Sequence, residues 1–227
     1  MTMIWCQEIC NASHLLLIAK EPHTHAEINI SEFLQLAQND QQLIISMLAE
    51  SDTKTPCFTG LLPAEVTITE TGFNAYVWNL HTRKALKKIA KMGGKVACLD
   101  NGPSKFMHWE HEQLEARQQL FRYMTTTCQT AQELGIKILL EPLKDGYTNH
   151  LNSLDEVQSF IALIDMPNLG LSVSSQLLLN SEKLAQESLL QRIKVSPSGL
   201  AEHQHIQKVK SAIASRSADL VVSLPCL

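Results

Sequence analysis

A short apolar run followed by a longer amphipathic one recurs along the chain. That alternation predicts βα units and a parallel sheet. Eight runs read as strands: Ile4–Glu8, His25–Asn29, Leu43–Leu48, Lys95–Leu99, Lys137–Glu141, Leu169–Val173, Arg192–Ser196 and Leu220–Leu224. His25–Asn29 is the least regular of them. Gly93-Gly94, Gly135 and Pro167-Asn168 punctuate the approaches to the fourth, fifth and sixth, and Pro197 closes the seventh.

Helical patterns fill the intervals. His14–Lys20 is short, and Ser31–Gln38 opens on a serine read as its cap. Tyr76–Met92 stops at Gly93, and the long pattern His108–Leu134 stops at Gly135. Ser153–Ile164 begins with a capping box, Ser153 with Glu156 three residues on. Glu182–Leu190 and His203–Ala214 complete the set. Ala49–Asn74 reads as a long irregular connection, a place where loops are usually functional. The expected fold is α/β, a parallel (β/α)8 TIM-type barrel forming one domain over residues 1–227. Its first βα unit is reduced and no helix follows its last strand. The length of 227 residues lies near the lower end for such a barrel.

The formal charge of −4 argues against nucleic acid or an anionic membrane as partner. No apolar run approaches the roughly 18 residues of a membrane helix, and Met1–Glu8 lacks the pattern of a signal peptide. A cytoplasmic location is the resulting expectation. The six cysteines are scattered, which fits small buried hydrophobes better than a disulfide framework. The shortened ends suggest that a second copy covers part of the barrel, as a homo-oligomer.

Glu141 is the sharpest candidate for chemistry. It ends the run Ile138-Leu139-Leu140 and precedes Pro142, which holds a carboxylate at the barrel rim where a metal ion or substrate hydroxyl would lie. The plainer reading is a glutamate that has reached solvent or pairs with a lysine. Three close histidine pairs, His23 with His25, His108 with His111 and His203 with His205, read as solvated. His150, soon after Glu141, is the histidine best placed for the barrel mouth.

Leu140-Glu141-Pro142-Leu143, then Thr148-Asn149-His150-Leu151-Asn152-Ser153, a helix, and Met166-Pro167-Asn168-Leu169-Gly170-Leu171 resemble the sugar phosphate isomerase/epimerase family, the xylose-isomerase-like barrels. Cys57–Pro63 resembles that family's loop after the third strand, and Lys91–Val96 its approach to the fourth. The resemblance implies a divalent metal held by Glu, Asp, His and Glu at the ends of the fifth to eighth strands. A bound sugar, polyol or keto acid would chelate the metal, and carboxylates would move the proton. Only Glu141 matches a ligand. Ser174 stands in the aspartate slot, Leu177 near a histidine slot, Lys194 in the seventh-strand slot, and no carboxylate follows the eighth strand.

One carboxylate cannot satisfy a magnesium-type ion, which wants several oxygen ligands. The sequence therefore suggests that a Glu141–Lys194 pair replaces the cation. Asp100 at the end of the fourth strand, Lys105 near a phosphate-contacting arginine slot, and Glu27, similar to a second-strand glutamate of the family, join His150 and Lys194 as candidate substrate contacts. The implied function is an isomerase or epimerase of a small sugar-like substrate. Its rival is an inactive relative that binds a small ligand or a protein partner through the same face. An endonuclease for abasic DNA shares the barrel, but it needs a zinc cluster and a basic surface that this sequence lacks.

Overall fold

The computed structural model describes residues 3–9, 24–51, 53–108, 112–144, 146–181, 184, 187–196, 203–214 and 219–225. Its strands are β1 (Met3–Ile9), β2 (Thr24–Asn29), β3 (Cys57–Thr59), β4 (Val96–Leu99), β5 (Lys137–Leu140), β6 (Leu169–Ser174), β7 (Leu190–Lys194) and β8 (Leu220–Leu224). They pair in sequence order, all parallel, and β8 returns to β1 to close the barrel. The least regular stretch, β2, is a full member that pairs on both sides. Among the described residues the helices are α1 (Ile30–Gln35), α2 (Gln38–Glu50), α3 (Ala75–Lys91), α4 (Gln113–Glu133), α5 (Leu154–Ile164), α6 (Ser175–Leu179) and α7 (His203–Ile213). The short helix expected at His14–Lys20 falls outside the described residues, as do four residues of the one expected at Glu182–Leu190, whose described end, Glu187–Leu190, is a turn that leads into β7 instead.

The third strand is a correction. Leu43–Leu48 lies inside α2, where Ile44 and Leu48 are buried and Leu43 faces out. These two buried positions are four apart, the spacing of one helical face, hidden within an unbroken apolar run. The third strand is instead Cys57–Thr59, buried throughout, between Pro56 and Gly60. The irregular connection after the second unit therefore contains a strand. The seventh strand also begins earlier than expected, at Leu190. The capping box of α5 is present, with Glu156 N–H donating to Ser153 Oγ at 3.2 Å. Asn29, not Ser31, caps α1, accepting from Glu32 N–H at 3.2 Å. Ser31 donates its hydroxyl to Gly60 O at 2.6 Å.

Alternation along the strands splits the core in two. Ala26, Ile28, Phe58, Ala97, Ile138, Leu140, Leu171, Val173, Ile193 and Val222 pack outward with the helices. A separate cluster of Cys6, Cys57, Val96, Cys98, Leu139 and Val221 fills the barrel interior. The period of two then places Glu27, Ser172, Arg192 and Ser223 inside as well, and Asp100 and Glu141 one step above them at the strand ends. Cys6, Cys57, Cys98 and Cys128 are free buried thiols, in keeping with their reading as hydrophobes.

Candidate active site at the barrel mouth

A barrel interior is dry, so a charge inside it persists only when paired and hydrogen-bonded. Arg192 is fully buried there. Its Nη2 donates to Glu27 Oε1 at 2.6 Å and its Nε to Glu27 Oε2 at 3.1 Å. The same Nε also donates to Ser223 Oγ at 2.8 Å, and Nη1 donates to Ser172 Oγ at 3.1 Å. Ser223 also donates to Glu27 Oε2. Burial opposes the charge on Glu27, but the Arg192 guanidinium and the hydrogen bonds from Ser223 and Cys57 outweigh it, holding the carboxyl below its ordinary value. A shift in register sets Arg192 there: β7 pairs Leu190 with Leu171 and then Arg192 with Ser172, so Gln191 is an extra residue. Such a bulge lets Leu190 and Ile193 both stay in the outer core while Arg192 turns inward.

Glu141 sits directly above this pair. It is 5% exposed, and its Oε2 lies 3.6 Å from Arg192 Nη1 and 3.5 Å from Ser172 Oγ. Burial pushes its carboxyl above the ordinary value. Arg192, Lys194 and Lys105 offset that in part, and Asp100 adds to it. Lys194 is exposed at the mouth; burial of its surroundings opposes its charge, yet Glu141, Asp100 and Glu8 hold it above the usual lysine value. The proposed Glu141–Lys194 replacement of a cation thus needs correcting. The cation within ion-pair distance of Glu141 is Arg192, and Lys194 acts on it from farther out. Sequence reasoning passed over Arg192, although Arg192-Ile193-Lys194-Val195 alternates charged and apolar residues, the signature of cations facing one side of a strand.

The other candidates divide between the mouth and the wall. Lys105 closes the 3-10 turn Pro103–Lys105 after β4, has no exposure, and donates from Nζ to Glu141 O at 3.0 Å. Burial lowers it to about 8, with Glu141 and Asp100 opposing that shift. Asp100 accepts from Gly60 N–H at 3.0 Å, tying the β3 and β4 ends together. Asp100 also borders a cleft of about 380 Å3 with Asn29, Gly60 and Asn101. Glu27 lies below the mouth as the partner of Arg192. His150 is not among this group; it lines an outer cleft with Arg117, Asp155 and Glu156, and burial lowers its pKa. Ser174, in the aspartate slot, caps α6 by accepting from Leu177 N–H at 3.2 Å. His205, read as solvated, shares a hydrogen bond of 2.8 Å with Ser175.

The donor set does not suit a divalent ion. Among the described residues no three His, Cys, Asp or Glu side chains converge. The β6 and β7 positions beside Glu141 bring Ser172 and Arg192, with Ser223 of β8 bonded to that guanidinium, which occupies the space beside the Glu141 carboxylate. A cation fixed by the protein repels another.

These features define a closed parallel (β/α)8 barrel with a paired guanidinium buried in its interior, similar in fold to xylose-isomerase-like barrels. D-psicose 3-epimerase from Clostridium cellulolyticum H10, solved with D-tagatose, superposes with a TM-score of 0.78 at 11% identity, covering 100% of this chain and 85% of that one. A xylose isomerase domain protein from Alicyclobacillus acidocaldarius gives 0.72 at 13%, covering 99% and 88%. An AP endonuclease of family 2 from Brucella melitensis gives 0.68 at 12%, covering 98% and 91%. No family model and no curated protein matches the chain. The likeness is one of fold, and function has to be argued from the site.

Proposed function

We propose that the chain is an isomerase or epimerase of a small sugar, polyol or keto acid that works with protein cations in the place of a metal. The observation that carries this is Glu141: a strand-end carboxylate, nearly buried, with its pKa raised, facing Arg192 and Lys194. A carboxyl shifted upward is better matched to proton transfer near neutral pH. In this reading Glu141 takes the proton from the carbon beside a substrate carbonyl and returns it on the same face to the neighbouring carbon, the hydroxyl proton passing to the former carbonyl oxygen; the epimerase outcome needs a second group that delivers a proton to the other face. The developing enediolate oxygen is stabilised by a positive charge already in place. Arg192 is largely committed to Glu27, so Lys194, which forms no ion pair with a described carboxylate, supplies that charge.

The experiment is proton NMR of candidate ketoses, aldoses and 2-keto acids incubated with the protein in deuterium oxide and EDTA. Exchange of the carbon-bound proton next to the carbonyl is expected, and Glu141→Gln should abolish it while keeping the circular dichroism spectrum. A second reading, ligand binding without catalysis, draws on Asp100. Its carboxylate is engaged by Gly60 N–H, which leaves Glu141 short of a second base. Saturation transfer to a sugar with no exchange at any carbon would establish that reading and end the first.

A further inference from the structure

The outer wall carries a second feature, independent of the mouth. Helix α3 contains Arg83, Lys84, Lys87, Lys88 and Lys91 and not one acidic residue, in a chain whose net charge is −4. All five line a groove of about 760 Å3 facing α1 and α2. The opposite wall offers the amides of Gln38, Gln41 and Gln42, and among the described residues no carboxylate lines the groove. None of the five cations forms an ion pair with a described carboxylate. Among the described residues, Lys88 alone of the five has another contact, lying 5.3 Å from the Phe33 ring centroid.

A solvated helix face usually mixes charges of both signs. Here Arg83 with Lys87, Lys84 with Lys88, and Lys87 with Lys91 are like-charged neighbours four residues apart, each mildly destabilising to the helix. Lys88 and Lys91 in the last turn complement the helix dipole, but Arg83, Lys84 and Lys87 lie too early for that. The first turn of α2, where Gln38 borders the groove, has no side-chain cap, so its backbone N–H groups also lack that partner; Asp40 in that turn does not line the groove. Repulsion along one wall and unmatched donors on the other are both relieved by an anion between them.

We propose that the groove between α2 and α3 is a binding site for a small molecule carrying a di- or triphosphate group. The five cations span eight residue steps, about 12 Å at the helical rise, more than a single phosphate can bridge. The volume falls within the range of small-ligand sites, roughly 300–1,000 Å3. Arg83 supplies a planar fork and the lysines compact charges, both suited to phosphate oxygens. An acidic peptide helix would need an apolar floor along its length, whereas Leu34 and Leu80 are the apolar residues that line this groove.

The test is calorimetric titration of the full chain with sodium tripolyphosphate at fixed ionic strength, beside inorganic phosphate. One equivalent of tripolyphosphate should bind, more tightly than phosphate. The triple variant Lys84→Gln/Lys87→Gln/Lys91→Gln should weaken it by about tenfold or more, and Lys95→Gln/Lys144→Gln/Lys208→Gln should leave it unchanged. Absence of saturable binding, or equal weakening by both triple variants, would overturn the proposal. So would displacement of tripolyphosphate by poly-glutamate at far lower concentration, which would point to a macromolecular partner. Should the first variant fail to fold, lysine acetylation of the wild type read by mass spectrometry decides. Tripolyphosphate should shield Lys84, Lys87 and Lys91 selectively, and uniform shielding of all lysines would refute the site.

Discussion

Removing the Arg192 guanidinium would leave Glu27, 2% exposed, as an uncompensated charge inside the barrel. Arg192→Met should therefore cost about 3–5 kcal/mol in urea unfolding, and adding Glu27→Gln should recover much of it. Strictly additive losses would mean that the pair is not the interior's central contact. A Glu141–Lys194 pair, as the sequence suggested, would have made Lys194→Met the damaging change. Exposed as it is, it should cost no more than about 1 kcal/mol. Glu141 makes a separate claim on pH. Its folded pKa is raised, so the native state holds the proton more tightly than the unfolded chain, and stability falls as pH rises through that interval. Relative to Glu141→Gln, the wild type should lose stability from about pH 4.5 upward. Glu27 runs the other way: its folded pKa is lowered, so its contribution is present above the unfolded value and lost as pH falls. A wild type that tracks Glu141→Gln at every pH would show that the mouth carboxyl is not desolvated.

Among the elements, the β2, β3 and β4 ends meet at Gly60, whose φ is +61° and whose missing Cβ would lie 2.2 Å from Asn29 Oδ1. Its carbonyl takes Ser31 and its N–H holds Asp100. Gly60→Ala should cost about 1–3 kcal/mol by chemical denaturation, and a change below about 0.5 kcal/mol would disprove the close approach. Elements with strong punctuation were legible from sequence. Gly93 and Gly135 set the ends of α3 and α4 within a residue and the Ser153–Glu156 box the start of α5, while α4 begins five residues later than the His108 expected. The third strand was not, because Leu43–Leu48 offers an apolar run that a helix and a strand satisfy equally, while three buried residues at Cys57–Thr59 are too few to show a period. The bulge at Gln191 was equally invisible. It is a matter of pairing register, and no single strand's sequence encodes its partner's spacing.

For the whole molecule, the barrel followed from the βα alternation, and Glu141 at its mouth from a carboxylate ending an apolar run. The cation beside Glu141 did not follow, since it depends on β2, β5, β6, β7 and β8 converging on one guanidinium. That convergence carries an expectation about metals: manganese, magnesium or EDTA should leave the melting temperature unchanged, whereas stabilisation that rises with manganese concentration would contradict the site described. The same contacts have a consequence during synthesis. Glu27 meets Arg192 across 165 residues and Ser223 across 196. At about 5–20 residues per second the ribosome needs on the order of ten to thirty seconds to deliver the guanidinium after the glutamate has been made. Until then the second strand carries a charge that has no place in a dry interior, so the growing chain cannot seal its barrel early around a partial set of strands. The last strands to emerge admit the first.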